Sequence, residues 1–306
     1  MINKKDTKAG KLLNIDFYPC FDNGRKIPTK PPKTQGTTEA QRKYNNTKAK
    51  KELVYIINEN FDEEDIIMHP TYKPCNAPQS EEAARRDLVN YFRRVRRLRA
   101  KELSKVTAAL AELSDSEALD DVRRKLELQK KKLEEPLKYV YVIEEEVYQR
   151  GPYKGRTNWH FHLCITGGLD RTVYEQMWTN GLYTNADQFQ PERFGPESIG
   201  KYMGKDPRGA KRFVCSRNIK RKYREPKIKD SRLSKSSLAR ICQERCDDAQ
   251  YWEKKYPGYR FLRAFPRYNE YNSHWYLTVV MYAAGDGPVP KWDMDNWPND
   301  DWQNNL

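Results

Sequence analysis

Two histidines set one residue apart, His160 and His162, are the residues in this 306-residue chain best placed to do chemistry. They lie in Trp159-His160-Phe161-His162-Leu163-Cys164-Ile165-Thr166, a run of aromatic and branched residues that Gly167 and Gly168 end. That composition predicts a β-strand. Side chains alternate across a strand, so Trp159, Phe161, Leu163 and Ile165 share an apolar face and the two imidazoles share the other. Imidazoles two residues apart sit about 7 Å from one another, close enough to share a metal ion. An H-x-H pair alone is also common as plain structure, so the metal reading has to draw on other residues.

Carboxylates supply it. Lys138 to Tyr148 reads as the preceding strand, with Val140, Val142, Glu144, Glu146 and Tyr148 on one face. The basic connection from Gln149 to Asn158 carries Gly151 and Gly155 and predicts a hairpin into the histidine strand. Glu146 is the acid of that face nearest the hairpin. With His160 and His162 it makes a two-histidine, one-carboxylate set, which leaves coordination positions open for substrate oxygens. A metal on a phosphate oxygen acts as a Lewis acid. A tyrosine hydroxyl, a weak nucleophile at its ordinary pKa of about 10, can attack such a phosphodiester and form a covalent intermediate. Tyr202 and Lys205, three apart on the helix expected after Pro196, point the same way. Lys205 would offset phosphate charge or orient the tyrosine.

The charge balance names the partner class. Lys+Arg 57 against Asp+Glu 43 gives +14, which suits a polyanion. Residues 201–235 hold fourteen Lys/Arg against Asp206, Glu225 and Asp230, a net of +11. Lys201, Arg208, Lys211, Arg212, Arg217, Lys220, Arg221 and Lys222 are the candidate backbone contacts to nucleic acid. The helix opening at Ser80 adds Arg93, Arg94, Arg96 and Arg97.

The remaining elements must carry these groups. Residues 1–36, rich in Lys, Pro and Gly, read as a flexible arm, followed by a basic helix over 38–58. Asp65 to Tyr72 is a short strand that Pro70 ends or bends. Ser80 caps a helix with Leu88, Phe92 and Val95 inward. Residues 103–135 form an inserted α-hairpin, with Val106, Leu110 and Leu113 in one stripe and Val122, Leu126 and Leu133 in the other. Asp170 caps a helix running to Asn180-Gly181 with Val173 and Met177 inward. Strands follow near 182–189 and 211–216, then helix over 231–255 and strands over 259–265 and 274–282. The fold class is α+β, helices on a central antiparallel sheet of about five strands. The domain plan is an arm and helix over 1–58, the site-bearing domain over 59–220, a C-terminal helix and strands over 221–284, and an acidic tail over 285–306. That tail holds Trp292, Trp297 and Trp302 without periodicity.

Six scattered cysteines contain no C-x-x-C, which argues against a zinc ribbon. The N-terminus has no apolar signal core, and the longest apolar run, Trp275 to Ala284, is too short to cross a bilayer. A cytoplasmic protein without membrane partners is expected.

The order Glu…His-x-His…Tyr-x-x-Lys…basic run resembles the HUH-endonuclease replication initiators of rolling-circle plasmids, phages and small single-stranded DNA viruses. Glu146-Val147-Tyr148-Gln149-Arg150-Gly151 followed by His160-Phe161-His162-Leu163 is similar to the family's metal-binding motif, with Glu144 as the rival acid. Tyr202-Met203-Gly204-Lys205 is similar to the nicking motif, and Ser198 one turn earlier marks a single-tyrosine type. Asp65-Ile66-Ile67-Met68-His69-Pro70-Thr71-Tyr72 sits where the family has an apolar strand, but His69 and Pro70 depart from its pattern. The resemblance spans about residues 60–220. It implies a ferredoxin-like five-stranded sheet, Mg²⁺ or Mn²⁺ as cofactor, and cleavage and rejoining of single-stranded or cruciform origin DNA through a 5′-phosphotyrosine, with host replication proteins as further partners.

Three other readings compete. Gly195 to Lys201 fits G-x-x-x-x-G-K, but Tyr202 stands where Ser or Thr should hold Mg²⁺ and no buried strand precedes it. A non-haem iron oxygenase suits the ligand set but explains neither Tyr202 nor the basic run. A nucleic-acid-binding protein without catalysis explains the charge and makes the motif order a coincidence.

Overall fold

A computed structural model describes residues 1–20, 39–113, 119–150, 152–181, 184–190, 200, 203 and 211–285. These form two compact units. Each is built on a five-stranded antiparallel sheet, so the chain is α+β. Among the described residues no helix is long and apolar enough to cross a membrane.

The first unit takes the described residues up to Glu59 and those from Lys220 onward. Its sheet runs β8-β1-β2-β10-β9, with β1 Ile2–Ala9, β2 Leu12–Pro19, β8 Lys227–Asp230, β9 Tyr259–Asn269 and β10 His274–Ala283. The flexible arm expected over 1–36 is therefore corrected for its first twenty residues. Leu13, Ile15 and Phe17 alternate with Asn14 and Asp16, and that period of two outweighs the lysines around it. One sheet face packs Leu238, Ile241 and Trp252 from α5 (Lys235–Glu244) and α6 (Ala249–Lys255). The single helix expected over 231–255 is two, because Asp248 caps a second start by accepting from Tyr251 N at 3.0 Å. Helix α1 (Glu39–Asn60) is joined to β2 by Asn14 Nδ2 donating to Tyr55 Oη at 2.9 Å and by Lys51 beside Asp16.

The second unit begins at Asn60 and carries His69, His160 and His162. Its sheet runs β6-β3-β5-β4-β7, with β3 Ile66–Pro70, β4 Tyr139–Val147, β5 Thr157–Ile165, β6 Thr184–Gln188 and β7 Val214–Cys215. β5 is the middle strand, paired with β3 on one side and β4 on the other. Its odd-numbered side chains, with Met68, Tyr141 and Ile143, form one apolar face. Helix α2 (Glu81–Glu112) lies on that face through Ala84, Leu88, Tyr91, Phe92 and Val95. Ser80 Oγ caps it by accepting from Ala83 N. Phe92 stacks on Tyr139 at 3.8 Å between ring centroids. Trp178 donates from Nε1 to the Thr71 carbonyl at 2.7 Å and so pins the end of β3.

Two local expectations are corrected. Helix α4 (Arg171–Gln176), capped by Asp170, stops before Asn180; Met177 packs against the core as expected, Val173 is half-buried, and the larger rings of Tyr174 and Trp178 are the ones fully inside. In α3 (Asp120–Glu134), Val122 is exposed and Leu133 is buried. Residues 286–306, with the Trp-containing tail, lie outside the described residues.

α3 is fixed to the sheet by charge as well as by packing. Lys132 Nζ lies 2.7 Å from Asp62 Oδ1 and 2.9 Å from Asp65 Oδ1, with Asp65 1 % exposed. Burial disfavours charge on Lys132, but the two carboxylates more than offset it and hold its pKa above the ordinary value. Asp65 Oδ1 also accepts from Gly167 N at 2.9 Å. Only glycine fits at 167, since a Cβ there would stand 1.8 Å from the Glu64 carbonyl oxygen. Arg99 completes the knot by donating to the carbonyls of Lys132, Glu135 and Thr166. Lys132→Met leaves Asp65 as a buried carboxylate without its cation and is expected to cost about 3–5 kcal/mol. Lys105→Met, which breaks an exposed pair with Glu102, should cost under ~1 kcal/mol. Urea midpoints of the two variants check the contrast.

Candidate metal centre

The polar face of β5 is where the chemistry-bearing residues meet. The β4–β5 register pairs Glu144 with His160, Val142 with His162 and Glu146 with Asn158. Glu144 Oε2 accepts from His160 Nε2 at 2.9 Å and from His162 Nε2 at 3.1 Å. Ligand atoms of these three residues lie within 4.8 Å of one another. The donors, two imidazole nitrogens and one carboxylate oxygen, lie close enough together to hold one metal ion. The Glu144 and His160 side chains are each 20 % exposed and His162 6 %, so the cluster is sheltered yet reachable from solvent.

Glu146, the acid nearest the hairpin, is not the carboxylate of this cluster. It shares the face but stands two residues nearer the turn and is exposed. The turn explains this. Gly155 N donates to the Tyr148 carbonyl and Tyr148 N to the Arg156 carbonyl, which fixes the pairing so that Glu144 faces His160. Gly155 adopts φ +83°, a left-handed conformation suited to glycine.

A third histidine joins the site. His69 lies on β3, which continues the same face, and its Nδ1 is 2.9 Å from His162 Nδ1. The sequence carried the signal for it. Ile66 and Met68 take the core face, so His69 belongs by parity on the face of His160 and His162. Asn185 and Asp187 of β6 extend that face through their register with His69 and Ile67.

The electrostatics follow from burial and from these pairs. Burial lowers the pKa of His69, His162 lowers it further, and the ring is brought down to about 4. Burial raises Glu144, but hydrogen bonds from His160 and His162 more than offset it and hold the carboxyl at about 2. Both shifts remove stability in acid. A histidine with a depressed folded pKa binds its proton more readily when unfolded, so its contribution is whole above about 6.5 and is lost as pH falls toward 4. For His69 that loss is of order 3 kcal/mol at most. The contribution of Glu144 is whole above 4.5 and is lost toward 2. The melting temperature of metal-free protein should drop between pH 6.5 and 4, and a His69→Asn variant should drop less over that window.

Tyr202, Lys205, Lys201 and Arg208 lie outside the described residues. Met203, the residue after Tyr202, is helical and fully buried, and its Sδ is 3.6 Å from Cys164 Sγ. Cys164 is two residues beyond His162 on β5 and on the same face. Lys211 and Arg217 are exposed and Arg212 half-buried in the second unit, while Lys220, Arg221 and Lys222 belong to the first. Arg221 lies 4.0 Å from Glu52, and Arg224 pairs with the same carboxylate. Tyr223, next to them, is buried, and burial with Glu52 nearby pushes its hydroxyl up to about 12, which makes it a poor nucleophile. No protein-family model, no curated protein and no solved structure matches this chain.

Proposed function

We propose that this protein is a metal-dependent nicking and joining enzyme for single-stranded DNA, of the HUH replication-initiator kind, with Glu144, His160 and His162 as its metal ligands. The observation that carries the reading is the cluster of Glu144, His160 and His162, with Met203 packed on Cys164 of the same strand. The nicking-motif residue beside Tyr202 is buried against the strand and face that present the histidines. The chain order of ligands, tyrosine and basic run supports the same reading.

Bound Mg²⁺ or Mn²⁺ would polarise the scissile phosphodiester and stabilise charge on its oxygens. Mn²⁺ suits a set of two imidazoles and one carboxylate better than Mg²⁺, which favours oxygen donors. Tyr202 Oη would attack phosphorus and lose its proton to solvent as the new P–O bond forms. The bond to the 3′ oxygen breaks, that oxygen leaves as a 3′-hydroxyl after taking up a proton, and the 5′-phosphate stays on the tyrosine. The phosphotyrosine ester keeps the energy of the broken bond, so rejoining needs no nucleotide hydrolysis. Lys205 would offset the phosphate charge. The Lys/Arg-rich stretch from Lys201 to Lys222 would hold the DNA backbone, and each phosphate contact on a single strand would contribute a log–log salt slope of about −0.7.

Purified protein incubated with Mn²⁺ and a pool of labelled single-stranded oligonucleotides should yield a protein–DNA adduct that survives denaturing electrophoresis. DNA binding with neither adduct nor cleavage at any Mn²⁺ concentration would instead support a binding protein without catalysis.

A further inference from the structure

His69 belongs to none of the motifs that carry the functional reading, yet it touches the most buried histidine of the cluster. Its position bears on which nitrogen of that histidine is available. His162 directs Nε2 toward Glu144 and His160, and Nδ1 toward His69 Nδ1 at 2.9 Å. The two contacts use opposite edges of one ring. His69 is thus not a fourth ligand of the cluster. It stands behind a ligand.

A close Nδ1···Nδ1 contact needs one hydrogen between the two nitrogens, one donating and the other accepting. A neutral imidazole that gives its Nε2 lone pair to a cation must carry its hydrogen on Nδ1. With a cation on Nε2 in place of the metal-free hydrogen bond to Glu144, the His162 hydrogen lies on Nδ1 and points at His69 Nδ1, whose lone pair receives it while His69 keeps its own hydrogen on Nε2. The rings meet edge to face, with centroids 4.9 Å apart and planes at 75°. That angle lets the His162 N–H lie in the plane of its own ring and still reach a lone pair of the other.

His69 is also held where this requires. Its neighbours Met68 and Pro70 are buried, β3 is paired on both sides, and Trp178 fixes the carbonyl of Thr71 two residues on. Outer partners held in this way orient ligand histidines and raise their basicity. Here the partner is a second histidine rather than the more usual carboxylate or carbonyl.

We propose that His69 is a positioning residue that fixes the tautomer and ring orientation of His162 for a divalent cation. The proposal rests on the reading of Glu144, His160 and His162 as a metal site, so its test uses the metal alone. Mn²⁺ affinity is measured by calorimetry for wild type, His69→Ala and His69→Asn. Two-bond ¹H–¹⁵N spectra of the histidine rings, taken with diamagnetic Zn²⁺, report which nitrogen of His162 carries the hydrogen.

His69→Ala should weaken Mn²⁺ binding by about 10–100-fold and leave His162 in mixed tautomers. His69→Asn places an amide oxygen near the position of Nδ1. It should restore affinity to within a few-fold and restore the Nδ1–H form. A purely structural role would lower the melting temperature of the Ala variant without changing the tautomer. Wild type that binds Mn²⁺ alongside an Ala variant with equal affinity and the same His162 tautomer would overturn the role of His69 and leave the metal site standing. Wild type that binds neither Mn²⁺ nor Zn²⁺ would overturn both. Should the Ala variant fail to fold, the Asn variant decides alone: the Nδ1–H form with near wild-type affinity supports the proposal, and its loss with affinity intact overturns it.

Discussion

Glu144→Ala is expected to lower Mn²⁺ affinity by more than about 100-fold, beyond the range seen when only an outer partner is lost, and to end metal-dependent cleavage with it. Glu146→Ala should leave both within a few-fold of wild type. The two acids share a strand, a face and a charge, so the comparison isolates geometry. Glu144 Oε2 stands 2.9 Å and 3.1 Å from the two ligand nitrogens, whereas Glu146 is exposed and faces Asn158 across the ladder. Glu144→Gln refines the test. It keeps an oxygen that can accept from one histidine and removes the negative charge, so its affinity should fall between the other two. Calorimetric titration with Mn²⁺ reads all three variants. Equal affinities in the two Ala variants would show that the metal sits elsewhere.

Tyr202→Phe is expected to remove the covalent DNA adduct entirely while leaving DNA affinity and melting temperature close to wild type. The ring is kept and only the hydroxyl is lost, so a tyrosine that merely packs would give a variant still able to form the adduct. Lys205→Ala should slow adduct formation by about 10²–10³, the scale for removing one group that stabilises developing charge, without abolishing it. Denaturing electrophoresis with labelled single-stranded DNA and Mn²⁺ reads both. The buried hydroxyl of Tyr223, pushed up to about 12, is a poor nucleophile. Persistence of the adduct in Tyr202→Phe would therefore send the search to other tyrosines.

Much of the second unit was legible in the sequence because its strands are half-buried and alternate cleanly. Trp159, Phe161, Leu163 and Ile165 gave the core face of β5, and Ser80 with Leu88, Phe92 and Val95 gave α2. What escaped depended on register and on weighting. Glu144 and Glu146 have the same parity, and only the turn closed by Tyr148 and Gly155 decides which of them meets His160. His69 is legible by parity alone, because its segment departs from the motif that the neighbouring residues resemble. The first hairpin was hidden by composition, since Lys4, Lys5, Lys8 and Lys11 mask the alternation of Leu13, Ile15 and Phe17. The knot of Lys132, Asp65 and Gly167 could not be read at all, because it joins residues far apart in the chain through side-chain geometry alone.

The spacing of the site's residues along the chain also bears on how it comes into being. Glu144 and His160 are 16 residues apart on one hairpin, while His69 and His162 are 93 apart. Closing the short loop costs little entropy, and local pairings are favoured early in folding. The contact of His69 with His162 closes a much longer loop, through α2 and α3, and so forms later. A cation added during refolding would thus meet the hairpin ligands first and the completed histidine pair last. Fast, weak capture followed by a slower tightening is the kinetic signature this connectivity implies, and the second phase should vanish when His69 is removed.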